Sequence, residues 1–193
     1  IINVHHDTGA DDDAWLVADP DTYKAQKARY EHLWRQIAEK FRDYDHRLLF
    51  ESYNEMLDSR RSWCFASFNG GYDAVLAEGA YDAINSYAQS FIDVVRSTDG
   101  NNSVRNLIVN TYGACNGDGD WNPHLQDPLI YMDLPEDSAE DHLLFEVHAY
   151  PTIDDMNAMP SATEKMFARL DELLALKGAP VIMGEWGTFS ENP

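Results

Sequence analysis

"LLFESYNEM", Leu48 to Met56, is the stretch whose reading decides the fold. It begins as a strand, nearly continuous in apolar character, and then ends on Asn54-Glu55. A strand buried on both faces has no use for a carboxylate, so the end of this one is expected at an opening. The reading turns on whether other apolar runs in the chain end in the same manner.

They do. Five runs are apolar or β-rich: 1–4, 47–53, 106–112, 143–150 and 180–186. The first leads into His5-His6-Asp7, the second ends in Asn54-Glu55, and the third ends around Asn110-Thr111-Tyr112. The fourth ends in His148-Ala149-Tyr150 and the fifth in Glu185-Trp186. Runs of this kind suit parallel strands covered on both faces better than the alternation of a half-wet sheet.

Helical patterns lie between them. Tyr30, Leu33, Trp34, Ile37, Ala38 and Phe41 fall on one face of a helix expected over 23–41, which assigns Trp34 to packing. Ile84, Ala88, Phe91, Ile92 and Val95 repeat the pattern over 81–95. A third helix, over 161–176, is expected to open on a Ser161-x-x-Glu164 capping box and to stop at Gly178 and Pro180. Strand and helix in alternation give an α/β fold with a parallel sheet. The segment 115–141, rich in Gly, Asn, Asp and Pro, reads as a long loop of the kind that carries function.

Parallel strands deliver all their C-terminal ends to one rim, where (β/α) barrels build their active sites. Two carboxylates on that rim, Glu55 and Glu185, are the equipment of acid/base or nucleophilic work on a neutral substrate. Glycoside hydrolysis needs such a pair. Tyr112, Trp121, Tyr150 and Trp186 stand at or beyond strand ends, and flat rings suit the apolar faces of sugars. Trp15, Trp63 and Trp121 serve equally well as loop anchors.

Bulk properties narrow the field. With 34 acidic against 14 basic residues and a net charge of −20, the chain lacks the basic face of a nucleic-acid binder. No apolar run approaches the roughly 18 residues of a membrane span, and no Gly-rich phosphate loop is present. Cys64 and Cys115 lie far apart and in no metal spacing, so both read as unpaired. Asp11-Asp12-Asp13 reads as a solvated loop, and "NGDGDWN" over 116–122 lacks most ligands of a calcium loop.

The motifs "INVHHD", "LLFESYNE", "FEVHAYP" and "VIMGEWG", in this order and spacing, resemble the third, fourth, sixth and seventh strand motifs of family 5 glycoside hydrolases. These are cellulase-like retaining enzymes on a (β/α)8 TIM barrel. The resemblance spans essentially the whole chain. It implies Glu55 as general acid/base and Glu185 as nucleophile, with Asn54 holding the sugar 2-hydroxyl. It implies His148 beside the acid/base and Tyr150 hydrogen-bonded to the nucleophile. His5, His6, Trp186 and Tyr112 are expected to contact substrate. The implied reaction is double displacement on a β-1,4-glucan, with no metal and no cofactor, in an extracellular setting, although no signal-peptide pattern is visible. The two carboxyl groups should stand about 5 to 5.5 Å apart, with Glu55 protonated more readily than Glu185.

The sequence departs from the family pattern in two ways. Met56 stands where the commoner pattern has Pro. The family's first two strands and its last strand have no counterpart here, so the expected fold is an incomplete (β/α)8 barrel, 193 residues against about 250 for a whole one. If this were the entire polypeptide, its open strand edges would recruit a second copy, giving a homo-oligomer. Two other readings stay open. One is a metal-dependent hydrolase using His5, His6, Asp7, His148 and a Glu. The other is a non-catalytic carbohydrate binder on the enzyme fold.

Overall fold

The computed structural model describes residues 1–63, 72–117, 123–150 and 159–187. Five parallel strands, β1 (Ile2–Asn3), β2 (Phe50–Glu51), β3 (Leu107–Asn110), β4 (Leu143–Ala149) and β5 (Val181–Trp186), lie side by side in sequence order. This is an arc of five consecutive strands of a (β/α)8 barrel. The first two strands are shorter than their apolar runs, but the ladder continues beyond them. Ile2 N–H reaches the Leu49 carbonyl at 3.1 Å, and Asn54 N–H reaches that of Val4 at 3.0 Å.

Helices α1 (Pro20–Lys40), α2 (Ala74–Arg96) and α4 (Met159–Leu173) cover one side, and a single turn, α3 (Asp127–Ile130), breaks the long loop. The first two begin several residues before their apolar stripes because they are capped there. The Asp19 carboxylate accepts from Thr22 N–H at 2.8 Å, ahead of Pro20, and Asp73 accepts from the N–H groups of Val75 and Leu76. Ser161 is a correction. The helix starts at Met159, so Ser161 lies inside its first turn and does not cap it. Pro160, whose fixed φ suits a first turn, explains the earlier start. The chain leaves this region through Gly178 at φ +114°, as its Gly-x-Pro sequence implied.

Register divides the sheet into two faces. Partners across parallel strands share a side, and neighbours along a strand alternate. Phe50, Leu107, Val109, Leu143, Phe145 and Val147 therefore point to the helices, where they meet Tyr30, Trp34, Tyr87 and Phe91 in one buried core. Trp34 is fully buried, and its indole N–H donates to the Ser52 carbonyl at 3.1 Å.

The opposite, inner face carries Asn3, Glu51, Ile108, Asn110, Leu144, Glu146 and His148. A barrel interior is ordinarily filled by branched aliphatics in layers. Here polar groups replace most of them.

Arg105 locks the start of β3. Its buried guanidinium donates to the carbonyls of Phe41, Tyr44, Asp45 and Leu48 and to the Asn102 amide oxygen, and it lies 4.7 Å from the Phe50 ring centre. Cys115 is a buried free thiol, whereas Cys64 and Trp121 lie outside the described residues, as does most of "NGDGDWN". No helix among the described residues is long and apolar enough to cross a membrane.

Candidate active site

Glu55 is delivered by the end of β2, which Asn110 pins. The Asn110 amide donates to Glu51 Oε1 at 2.8 Å and to the Tyr53 carbonyl, and the Tyr53 hydroxyl returns a bond to the Asn110 carbonyl at 3.1 Å. The chain then turns inward through Asn54, whose Oδ1 is buried without a partner among the described residues. An unpaired buried acceptor is costly unless something else meets it.

Glu185 reaches the inner face by a different device. Val147 pairs with Met183, but His148 pairs with Glu185, so Gly184 has no opposite number in β4. One extra residue in a strand switches every later side chain to the other face. Ile182, paired with Glu146, already points inward, and strict alternation would have sent Glu185 towards the helices. The bulge returns it to the inner side.

The two carboxylates meet at His148. Its Nδ1 lies 2.8 Å from Glu55 Oε1 and 3.7 Å from Glu185 Oε2, and Nε2 lies 3.4 Å from Glu146 Oε1. One oxygen each from Glu55 and Glu185, together with a ring nitrogen of His148, all lie within 4.8 Å of one another. Tyr150 donates its hydroxyl to Glu185 Oε2 at 2.7 Å, and its ring packs on Gly187. His5 approaches the other oxygen, with Nε2 3.9 Å from Glu185 Oε1. His6 stacks edge-on against His5 with ring centres 4.8 Å apart.

The electrostatics follow from this crowding. Burial opposes a charge on His148, but the hydrogen bonds to Glu146 and Glu55 and the charges of Glu185 and Glu55 overcome it, raising its pKa to about 9. Burial and the neighbouring Glu146 push Glu51 up to about 7, against hydrogen bonds from Asn3 and Asn110. The hydrogen bond to Glu185, with smaller help from burial, raises the Tyr150 phenol to about 12. The raised pKa of His148 thus favours the charged form of its ring among the acidic side chains around it.

Two expected contacts are corrected. Tyr112 is fully buried, with its hydroxyl donated to the Ser62 carbonyl while accepting from Asp58 N–H at 3.2 Å. It braces the loop after Glu55 and offers no surface to a ligand. Trp186 pairs with Ala149, in the row opposite to that of Glu185, so its exposed ring is not delivered to the face that carries the carboxylates. Trp15 is a loop anchor, bonded through its indole to Asp7 and covered by the Arg29 guanidinium at 3.8 Å.

Glu51 and Glu146 were not recognised as part of the site from the sequence. Both sit inside apolar runs, and the signal available was that very placement: a carboxylate in the middle of a buried strand requires a partner.

Fold and site together define an arc of a (β/α)8 barrel with a carboxylate pair at the C-terminal rim. A model of the cellulase family, glycosyl hydrolase family 5, matches residues 1–193, and the chain belongs to that family. The chain is similar to Endoglucanase 1 of Ruminococcus albus, at 31% identity over 201 residues that cover 100% of this chain and 43% of that protein. It superposes on the solved structure of a GH5-4 broad specificity endoglucanase from an uncultured bacterium with a TM-score of 0.92. There the identity is 55%, covering 99% of this chain and 53% of that one. A mutant of the Prevotella bryantii B14 family 5 enzyme, solved with the xyloglucan tetradecasaccharide, gives a TM-score of 0.79 at 40% identity, covering 98% of this chain and 51% of that one. The chain therefore spans about half the length of these relatives.

Proposed function

We propose that residues 1–193 carry the catalytic pair of a retaining endo-β-1,4-glucanase, as part of a single catalytic domain. The observation that carries the reading is the approach of Glu55 and Glu185 oxygens to within 4.8 Å on one rim. That closeness suits direct attack by one carboxylate better than the wider separation, about 6.5 to 9.5 Å, that inversion needs to accommodate a water.

In the first step a Glu185 oxygen attacks the anomeric carbon while Glu55 gives its proton to the departing glycosidic oxygen. The C–O bond to the leaving sugar breaks as the ester to Glu185 forms. In the second step Glu55 takes a proton from water, the water oxygen bonds the anomeric carbon, and the Glu185 carboxylate departs. Tyr150 holds Oε2 of Glu185 by a 2.7 Å hydrogen bond, whereas Oε1 has only the more distant His5 at 3.9 Å, which makes Oε1 the attacking oxygen. Asn54 accepts from the sugar 2-hydroxyl, and His5 and His6 line the approach.

The substrate is a β-1,4-linked glucan backbone, plain or branched, in keeping with relatives that include a broad specificity endoglucanase and an enzyme solved with a xyloglucan oligosaccharide. Such polymers are too large to enter a cell, so the enzyme works outside it.

Hydrolysis of a panel of soluble glucans by wild type and by Glu185→Gln tests the reading. The variant should lose nearly all turnover, roughly 10³-fold or more, while still binding oligosaccharide. Equal rates would remove the nucleophile. Binding without turnover by wild type would favour the carbohydrate-binder reading.

The Glu55–His148–Glu185 cluster favours a second reading, metal-dependent hydrolysis, because three such groups can ligate a divalent ion. Against it, both ring nitrogens of His148 already face carboxylate oxygens, Nδ1 that of Glu55 at 2.8 Å and Nε2 that of Glu146 at 3.4 Å, so an ion would have to displace one of these contacts. Activity abolished by chelation and restored by zinc would reverse that preference.

A further inference from the structure

The imidazole of His148 is held from below as well as above. Above, Nδ1 meets Glu55 Oε1 at 2.8 Å; below, Nε2 meets Glu146 Oε1 at 3.4 Å, and both His148 and Glu146 are buried. We propose that Glu146 is a positioning residue of this site: by gripping Nε2 it keeps His148 a cation whose Nδ1–H points at Glu55. The inference rests on Glu55 being the acid/base.

Three observations carry it. First, Glu146 has no lysine or arginine partner among the described residues, and its Oε2 is buried without any partner there. A buried carboxylate in that state is strongly disfavoured unless a cation compensates it. His148 is the cation within reach. Second, the molecule makes space for Glu146. A Cβ on Gly184 would lie 1.3 Å from Glu146 Oε1, so the bulge that turns Glu185 inward also vacates the volume that the Glu146 carboxylate fills. Third, the remaining groups that face His148 act in the same direction. Glu55 comes from the end of β2, Glu185 from β5 and Glu51 from β2, and none of them is cationic. Burial and the nearby Glu146 push Glu51 up to about 7, whereas Glu146 itself lies 3.4 Å from the ring.

The consequence for the proposed reaction lies in the moment after proton delivery. Glu55 is then an anion in a crowded acidic site, and a fixed Nδ1–H stabilises it until it recovers a proton from water. Without Glu146 the ring loses its second proton at lower pH. Nδ1 can then present a lone pair to Glu55 and repel it.

The test is ring-nitrogen NMR of His148 in the folded chain without substrate, comparing wild type with Glu146→Gln. Wild type should show both nitrogens protonated at pH 7. In the variant the His148 midpoint should fall by about one pH unit or more, and in the glucanase assay kcat should drop about tenfold with KM within about twofold. An unchanged midpoint overturns the proposal. If the variant does not fold, wild type alone decides, since an unprotonated Nε2 at pH 7 also overturns it. The spectrum needs no turnover, so a wild type inactive on every glucan would remove the hydrolase reading while leaving the hold of Glu146 on the ring separately decided.

Discussion

Gly184 has no side chain where the carboxylate of Glu146 stands: the two strands are so disposed that a β-carbon on one would lie 1.3 Å from an oxygen of the other. Gly184 is also the unpaired residue that sets Glu185 on the inner face. One small residue thus serves both the packing beneath the site and the aim of Glu185, the proposed nucleophile.

Gly184→Ala should therefore be damaging out of proportion to its size. We expect a loss of about 2–4 kcal/mol in stability, as for a buried overpacking change, and a further fall in kcat for whatever protein remains folded. Thermal unfolding followed by kinetics at a temperature below the variant's midpoint measures both. A variant as stable and active as wild type would mean that the bulge tolerates a methyl group and that the close approach is not obligatory.

Stability should decline from mildly acidic to alkaline pH. His148 rises from its ordinary 6.5 to about 9 on folding, so the stability it contributes is complete below pH 6.5 and is lost as pH climbs through 9. Glu51 rises from 4.5 to about 7, so the native state binds the extra proton between those values, and stability falls as pH rises across them. The two effects share a sign. The Tm should drop by several degrees between pH 5 and pH 9, at roughly 2–4 °C per kcal/mol for a chain of this length. A Tm that climbs over this range would contradict the charge assignment.

Arg105→Lys should cost about 2–4 kcal/mol despite retaining the charge. An ammonium cannot serve the carbonyls of Phe41, Tyr44, Asp45 and Leu48 together, and the bonds lost are partly buried. Denaturant unfolding would show it. A change below about 0.5 kcal/mol, the range of ordinary surface substitutions, would mean that these bonds contribute little.

Tyr112→Phe separates bracing from binding. Loss of its bonds to the Ser62 carbonyl and Asp58 N–H should lower stability by about 1–2 kcal/mol. The KM for glucan should stay within about twofold. A large rise in KM at unchanged stability would restore Tyr112 to the binding surface.

Much of this was legible in the chain, for reasons that particular residues make plain. The parallel strands followed from near-continuous apolar runs with helical stretches between them. Asn54-Glu55 and Glu185 announced an opening because nothing in a buried strand explains them. The limits were equally physical. Trp186 was expected at the substrate as an aromatic at a strand end, but adjacent strand residues point to opposite faces, and its place next to Glu185 argues against sharing one. The bulge at Gly184 could not be read, since a single extra residue leaves no mark on composition or periodicity over so short a run. Tyr112 looked like any rim aromatic until its hydroxyl was seen to be occupied. Glu146 sits inside the apolar run of "FEVHAYP", and only the fold shows that His148 is the partner it requires.

The most direct measurement is the configuration of the sugar first released. On the proposed reading, with Glu55 and Glu185 oxygens within 4.8 Å, each cleavage would proceed through an ester on Glu185 and invert the anomeric carbon twice. Proton NMR of the earliest product from a β-1,4-glucan, recorded before mutarotation, should show the β anomer. An α anomer would mean that water attacks directly and that the two glutamates do not work as the pair described.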